Sequence, residues 1–304
     1  MSEAAFRALY ERLRAGTRQA GGPPRGALRH LTSERVRAAA TEVRSGRTVS
    51  LAAPIETRRG PDSPEPAAHR MTGPPPADLD APGPHFARDR LAMNIHGDVD
   101  SHLDALCHVI VDGELYDGVP AHSLTPDGAT ALSVDLVDNG IVGRGVLLDV
   151  PRLRGVPWLE PGDHVTPEDL AAAEEAQGVR AGPGDLLFVR VGHRLRRREL
   201  GAWNVSEARA GLHPTAVTFL AERQVAVLGG DGNNDTAPSP VDGVGFPVHV
   251  LAIHAMGTYL MDWLQFEELA PACADAGRWS FLCAVAPLRL PGATGSPVNP
   301  IAVL

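Results

Sequence analysis

The stretch HGDVDSHLDALCH, residues 96–108, packs three histidines and three aspartates into thirteen residues of a chain with twelve histidines in all. His96, Asp98, Asp100, His102, Asp104 and His108 all fall on even positions, so an extended backbone would turn the whole set to one face. Reach limits that arrangement. Six residues at ~3.3 Å each would carry His96 about 20 Å from His102, whereas ligands bind one ion at ~2.0–2.3 Å. His102 and Asp104 can share an ion directly, and His96 or Asp98 can join them only if the chain bends between, which Gly97 would permit. His108 faces the same centre if a helical turn begins near Ala105. A lone histidine is usually a hydrogen-bonded structural residue. Six acidic or imidazole groups between the apolar runs LAMNI and VIV read instead as a metal site, because buried charges must be paired or metal-bound. Imidazole and carboxylate without thiolate suit zinc, manganese or iron.

The rest of the chain frames that site. At 304 residues and 43% hydrophobic, it is long enough to bury a sizeable core. A net charge of −9 argues against nucleic acid as a partner. The one basic cluster, Arg194 with Arg196, Arg197 and Arg198, reads as a solvated face. Cys107, Cys273 and Cys283 show no C-x-x-C spacing and read as free thiols. No run approaches the eighteen apolar residues of a membrane span, and the start, MSEAAFRALYERLRAG, lacks the apolar core of a signal peptide. A cytoplasmic protein with no membrane partner is expected.

Helical spacing marks residues 3–15 and 33–44, the latter with Ser33 as cap. Residues 48–55 read as a strand. The following ETRRGPDSPEPAAHRMTGPPPADLDAPGP, residues 56–84, is too rich in proline and glycine for regular structure and reads as a lid or pocket edge. Strand-like runs at 145–150, 185–191, 225–230 and 281–290 then alternate with helices at 167–176, capped by Thr166, and 214–223, an α/β pattern. Residues 248–260 mix helical and strand character. GGDGNNDTAPSP, residues 229–240, is a strand-end loop where α/β folds place ligands, which makes Asp231 and Asp235 candidates to line a pocket. Trp203, Phe246 and Trp263 are candidate walls for an aromatic substrate, and His254 reads as core or interface.

SHLDALCH followed by DGELYDG resembles the signature of the cyclase family of metal-dependent hydrolases, H-x-G-T-H-x-D-x-P-x-H. Ser101, His102, Asp104 and His108 align with its T, second H, D and last H. PVHVLAIHAMGTYLMDWLQFEELA, residues 247–270, is similar to the family's P-x-H segment ending in G-x-x-L-x-E, and PLRLPGATGSPVNPIAVL, residues 287–304, to its closing segment. There are departures. The family's first histidine falls on Asp98, with His96 two residues earlier; its glutamate falls on Asp262, and its proline on Leu106.

The resemblance implies a mixed, partly barrel-like α/β sheet flanked by helices, spanning residues 47–304, with residues 1–46 as an added N-terminal helical segment. It also implies assembly as a homodimer or homotetramer. The implied activity is hydrolysis of an amide, lactone or cyclic imide-like carbonyl of a small molecule by a metal-activated water. Zinc or manganese would sit on His96, His102 and Asp104, His96 being preferred to Asp98. His108 and His249 are the implied proton carriers, and Asp262 would orient one of them or touch a second ion. A cyclase or lyase tailoring a small natural product at the same site is the alternative, and a binding module that has lost catalysis is a third reading.

Overall fold

The computed structural model describes residues 1–17, 25–75 and 79–304. Nine strands form one sheet: β1 Thr48–Ser50, β2 His102–Asp104, β3 Ile141–Asp149, β4 Leu186–Arg190, β5 Val227–Gly230, β6 Tyr259–Asp262, β7 Ser280–Val285, β8 Gly295–Pro297 and β9 Ile301–Val303. Their spatial order is β1-β9-β7-β3-β4-β5-β6-β2-β8. The pairs β3/β4, β4/β5 and β5/β6 are parallel, and every other neighbouring pair is antiparallel. Helices cover the sheet, so the fold is the mixed α/β sheet that the family resemblance implied.

Strand sequence follows position in the sheet. Every residue of β4, β5 and β6 is buried, because parallel strands lie under helices on both faces and lose the alternation of a half-exposed strand. Phe188 of β4 packs between Phe266 and Phe281. At the antiparallel edge β7 alternates buried with partly buried residues. It stops at Val285 rather than running on to residue 290, since Pro287 has no N–H to give the ladder.

The helix Pro167–Gln177 starts on a capping box, in which Thr166 accepts from the Asp169 amide and Asp169 returns to the Thr166 amide. The helix Ser33–Ala39 is capped by Thr32, one residue before the position expected, because Thr32 is the residue in extended conformation. Residues 248–260 divide into a short helix Pro247–His249, a π-helical stretch Val250–Ala255 and then β6. The N-terminal helix Glu3–Thr17 buries Phe6, Leu9, Tyr10 and Leu13 in the common core. There the Tyr10 hydroxyl meets His254 Nδ1 at 2.8 Å, which accounts for His254 as a core residue. Among the described residues no helix is long and apolar enough to cross a membrane.

Two expectations are corrected. The proline-rich stretch 56–84, of which 76–78 lie outside the described residues, does contain regular structure. Residues 67–73 hold no proline, and Ala68–Met71 pairs antiparallel with Asp89–Ala92 as an exposed ribbon. The basic cluster is not a solvated face either. It lies on the helix His193–Leu200, where Arg194 is buried, Arg197 pairs with Glu56 and Asp62 and straps the start of that loop to the body, and Arg198 remains exposed.

Candidate metal centre

The chain bends where a shared site requires it, though not through a left-handed glycine. A turn at Ile95–His96 and bends at 98–100 bring His96 back over β2, while Gly97 takes no positive φ. His96 Nδ1 then lies 2.8 Å from Asp104 Oδ1, and His102 Nε2 lies 3.5 Å from the same oxygen. Closing β8 against β2 needs a residue without a side chain. A Cβ on Gly295 would stand 2.5 Å from the Leu103 carbonyl oxygen and 2.8 Å from the His96 ring.

β2 lies between β6 and β8, with His102 paired to Asp262 and Asp104 to Leu260. Paired residues share a face of the sheet, so Asp262 projects beside His102. His249, from the short helix Pro247–His249, completes the group. Its Nε2 is 3.2 Å from Asp262 Oδ2 and 3.5 Å from Asp104 Oδ2. Two triads therefore have donor atoms within 4.8 Å of one another: His96, His102 and Asp104; and Asp104, His249 and Asp262. Asp98 belongs to neither. His108 stacks on His96 with ring centroids 3.8 Å apart, reached through the turn that begins at Ala105.

The partners of each group suit a cation. Asp104 is fully buried, and its Oδ2 has no hydrogen-bond donor although unpaired buried oxygens are costly. Burial alone would raise its pKa, but the surrounding imidazoles of His108, His249, His96 and His102 outweigh that and hold it well below the usual carboxylate range. His102 Nδ1 donates to the Asp100 carbonyl at 2.8 Å, which fixes the tautomer and leaves the Nε2 lone pair aimed at Asp104. His249 Nδ1 lies 2.5 Å from Asp235 Oδ2. Burial works against its charge, yet Asp262, Asp104 and Asp235 together raise it well above the ordinary histidine value. Burial lowers His108 to about 4, so its imidazole is neutral near pH 7.

Several of these positions depend on residues that sequence reading passed over. Asn233 Nδ2 donates to Asp262 Oδ2 at 2.7 Å and Asn234 Nδ2 to Asp262 Oδ1 at 2.5 Å, so both amides hold the one carboxylate. Thr294 Oγ1 meets His96 Nε2 at 2.9 Å. Asp235 lies beneath the site rather than on the pocket wall, accepting from the amides of Val248 and His249 as well as from the imidazole. Asp231 is also buried, where it accepts from the amides of Val191, Gly192 and His193.

Trp263, directly after Asp262, is a core residue at φ +58°, a left-handed conformation that costs a bulky residue about 1–3 kcal/mol. Its carbonyl is pinned by Ser101 Oγ and by the Arg194 guanidinium, which also donates to Val99 and Leu264. Trp203 packs on His193, away from the site, so of the three proposed aromatic walls only Phe246 reaches it. The cavity above the site has a volume of about 570 Å³ and includes Asp98, Asn233, Val109, Ile110, Val244 and Phe246 in its lining. No described residue of the 56–84 loop lines it.

This arrangement was compared with known proteins. The sequence profile of the Cyclase family matches residues 49–234. The chain belongs to the cyclase family. A solved structure described as a novel cyclase is 33% identical over 92% of this chain and 94% of its own, with a TM-score of 0.81. Isatin hydrolase A from Ralstonia solanacearum shares 22% identity over 94% of this chain and 99% of its own, at TM-score 0.61. Isatin hydrolase A from Labrenzia aggregata shares 23% over 87% and 94%, at TM-score 0.58. Both are similar in fold to this cyclase-family chain. No curated protein matched.

Proposed function

We propose that this chain is a metal-dependent hydrolase that opens an amide, lactone or cyclic imide-like carbonyl of a small molecule. The observation that carries the reading is Asp104, a fully buried carboxylate with one oxygen outside any hydrogen bond, ringed by the imidazoles of His96, His102, His108 and His249, which themselves line a 570 Å³ cavity. His96, His102 and Asp104 would hold the ion, and two imidazoles with one carboxylate suit zinc or manganese. When bound, such an ion lowers the pKa of water and polarises a carbonyl. The isatin hydrolases whose fold this chain shares lend the reading support.

The remaining roles follow from the protonation states. His108, kept neutral by burial and lining the cavity, is placed to take a proton from water. His249, held as an imidazolium by three carboxylates, is the source of a proton for the leaving group. Overall the oxygen of water joins the carbonyl carbon, the C–N or C–O bond breaks, and a proton ends on the leaving nitrogen or oxygen. Asp262, fixed by two asparagine amides, orients His249 and would be available to a second ion together with Asp104.

The test is turnover in oxygen-18 water. One label in the carboxylate product, with turnover falling about 10²–10⁴-fold in His108→Gln, is the expected result. Turnover without label would favour the cyclase or lyase alternative.

A further inference from the structure

The charges of the cavity lining are unequally paired: the His249 imidazolium is taken up by Asp104, Asp235 and Asp262, and Asp98 is left without a partner among the described residues. Asp98 and Asp262 are in its lining, and among the described residues no arginine side chain is, in a chain whose basic residues are all arginine. Asp98 is open to the cavity and makes no hydrogen bond or ion pair among the described residues. Asp262, by contrast, is committed to Asn233, Asn234 and His249. Arg209 comes close but is turned away. It is buried, donates to the carbonyls of Asp235 and Val205, and packs its guanidinium 5.2 Å from the Phe246 ring centroid. The remaining wall is apolar. Ile110 and Phe246 are 53% and 50% exposed, and the Phe246 ring stands 5.7 Å from that of His249.

From this we infer that Asp98 is a specificity-determining residue that excludes anionic substrates, and that the cavity takes an uncharged carbonyl compound whose ring lies against Phe246 and Ile110. The inference rests on the hydrolase reading above and names its substrate class. A carboxylate held against Phe246 and Ile110 would meet Asp98, while the nearby Arg209 spends its donors on the Asp235 and Val205 carbonyls and the charge of His249 is taken up by Asp104, Asp235 and Asp262. Repulsion between like charges in a partly desolvated cleft weakens productive binding by roughly a hundredfold. The reaction for an N-aryl formamide balances as water plus amide giving formate and arylamine. Water oxygen bonds to the formyl carbon, the C–N bond breaks and the nitrogen gains the proton.

Three probes of one reactive group test it on the metal-loaded full chain: formanilide, 4-nitroformanilide and 4-formamidobenzoate. The nitro compound matches the carboxylate in size without full charge. We expect kcat/KM for the two neutral probes to exceed that for the carboxylate about a hundredfold, and the gap to shrink at high salt, as charge repulsion does and steric exclusion does not. Asp98→Asn should narrow the gap at least tenfold while metal per chain stays at the wild-type level. An unchanged gap in Asp98→Asn, or equal use of all three probes by wild type, overturns the inference and leaves the hydrolase reading standing. Loss of the ion in Asp98→Asn also overturns it, since Asp98 would then be a ligand. If loaded wild type leaves all three intact, the substrate class is withdrawn, and the hydrolase reading falls only if lactones and cyclic imides are inert too.

Discussion

Asp235→Asn isolates the support beneath His249. The carboxylate accepts three hydrogen bonds, from Val248 N at 2.6 Å on Oδ1, and from His249 N at 3.1 Å and His249 Nδ1 at 2.5 Å on Oδ2. An asparagine keeps the shape but not the bonding. With its NH₂ in the Oδ2 position it faces two donors, and in the Oδ1 position it faces one, so at least one charge-assisted bond worth about 1.5–3 kcal/mol is lost. A buried imidazolium that also loses a carboxylate brings the total to about 3–5 kcal/mol. At the ~2–4 °C per kcal/mol typical of larger domains, calorimetry of the metal-free protein should show melting roughly 6–20 °C lower. The sign with pH is fixed. His249 is raised in the folded chain, so its contribution is fully present below the unfolded value near 6.5 and is lost as pH rises through the folded value. The variant's deficit should therefore be largest at pH 6 and shrink towards alkaline pH, while histidine NMR shows His249 giving up its proton at lower pH than in wild type. A deficit below about 1 kcal/mol, or an unmoved His249 titration, would refute the claim that Asp235 holds this imidazolium.

Other expectations follow from the same geometry. Gly295→Ala would press a methyl group against the Leu103 carbonyl and the His96 ring, costing about 1–3 kcal/mol and displacing His96; calorimetric titration should show metal affinity about 10–100-fold weaker. Arg194→Ala leaves the carbonyls of Val99, Trp263 and Leu264 without their common donor and should cost about 3–5 kcal/mol by urea unfolding, with Arg194→Lys recovering little because an ammonium cannot span all three. His193 is buried between Trp203 and Trp263 and burial lowers it well below the ordinary value. The unfolded chain gains a proton there below about pH 6.5 that the folded chain refuses, so wild-type stability should fall with acid by about 1.4 kcal/mol per pH unit more than that of His193→Asn.

The sequence spoke most clearly where one element contains the whole signal. The spacing of His102 and Asp104 on an extended segment, and the need for a bend upstream, follow from strand geometry alone, and the structure has both. The buried parallel strands were legible from apolar runs, and the helix Pro167–Gln177 from its threonine cap. What could not be read are pairings between distant segments. Asn233 and Asn234 sit in a glycine-rich loop that looks like a turn until β5 and β6 pair and bring Asp262 to their amides. Asp231 and Asp235 look alike in sequence and both cap backbone amides, yet only Asp235 ends beneath an imidazole. Arg194 looked like part of a surface cluster because nothing in a one-turn window shows that it points inward to three carbonyls.

The most direct test of the account is elemental analysis of purified protein, wild type beside His102→Ala, after equilibration with zinc or manganese and removal of free ion. The account predicts about one ion or more per wild-type chain and loss of that ion in the variant, because His102 supplies the Nε2 lone pair aimed at Asp104. A wild-type chain that retains no ion under either condition would contradict it.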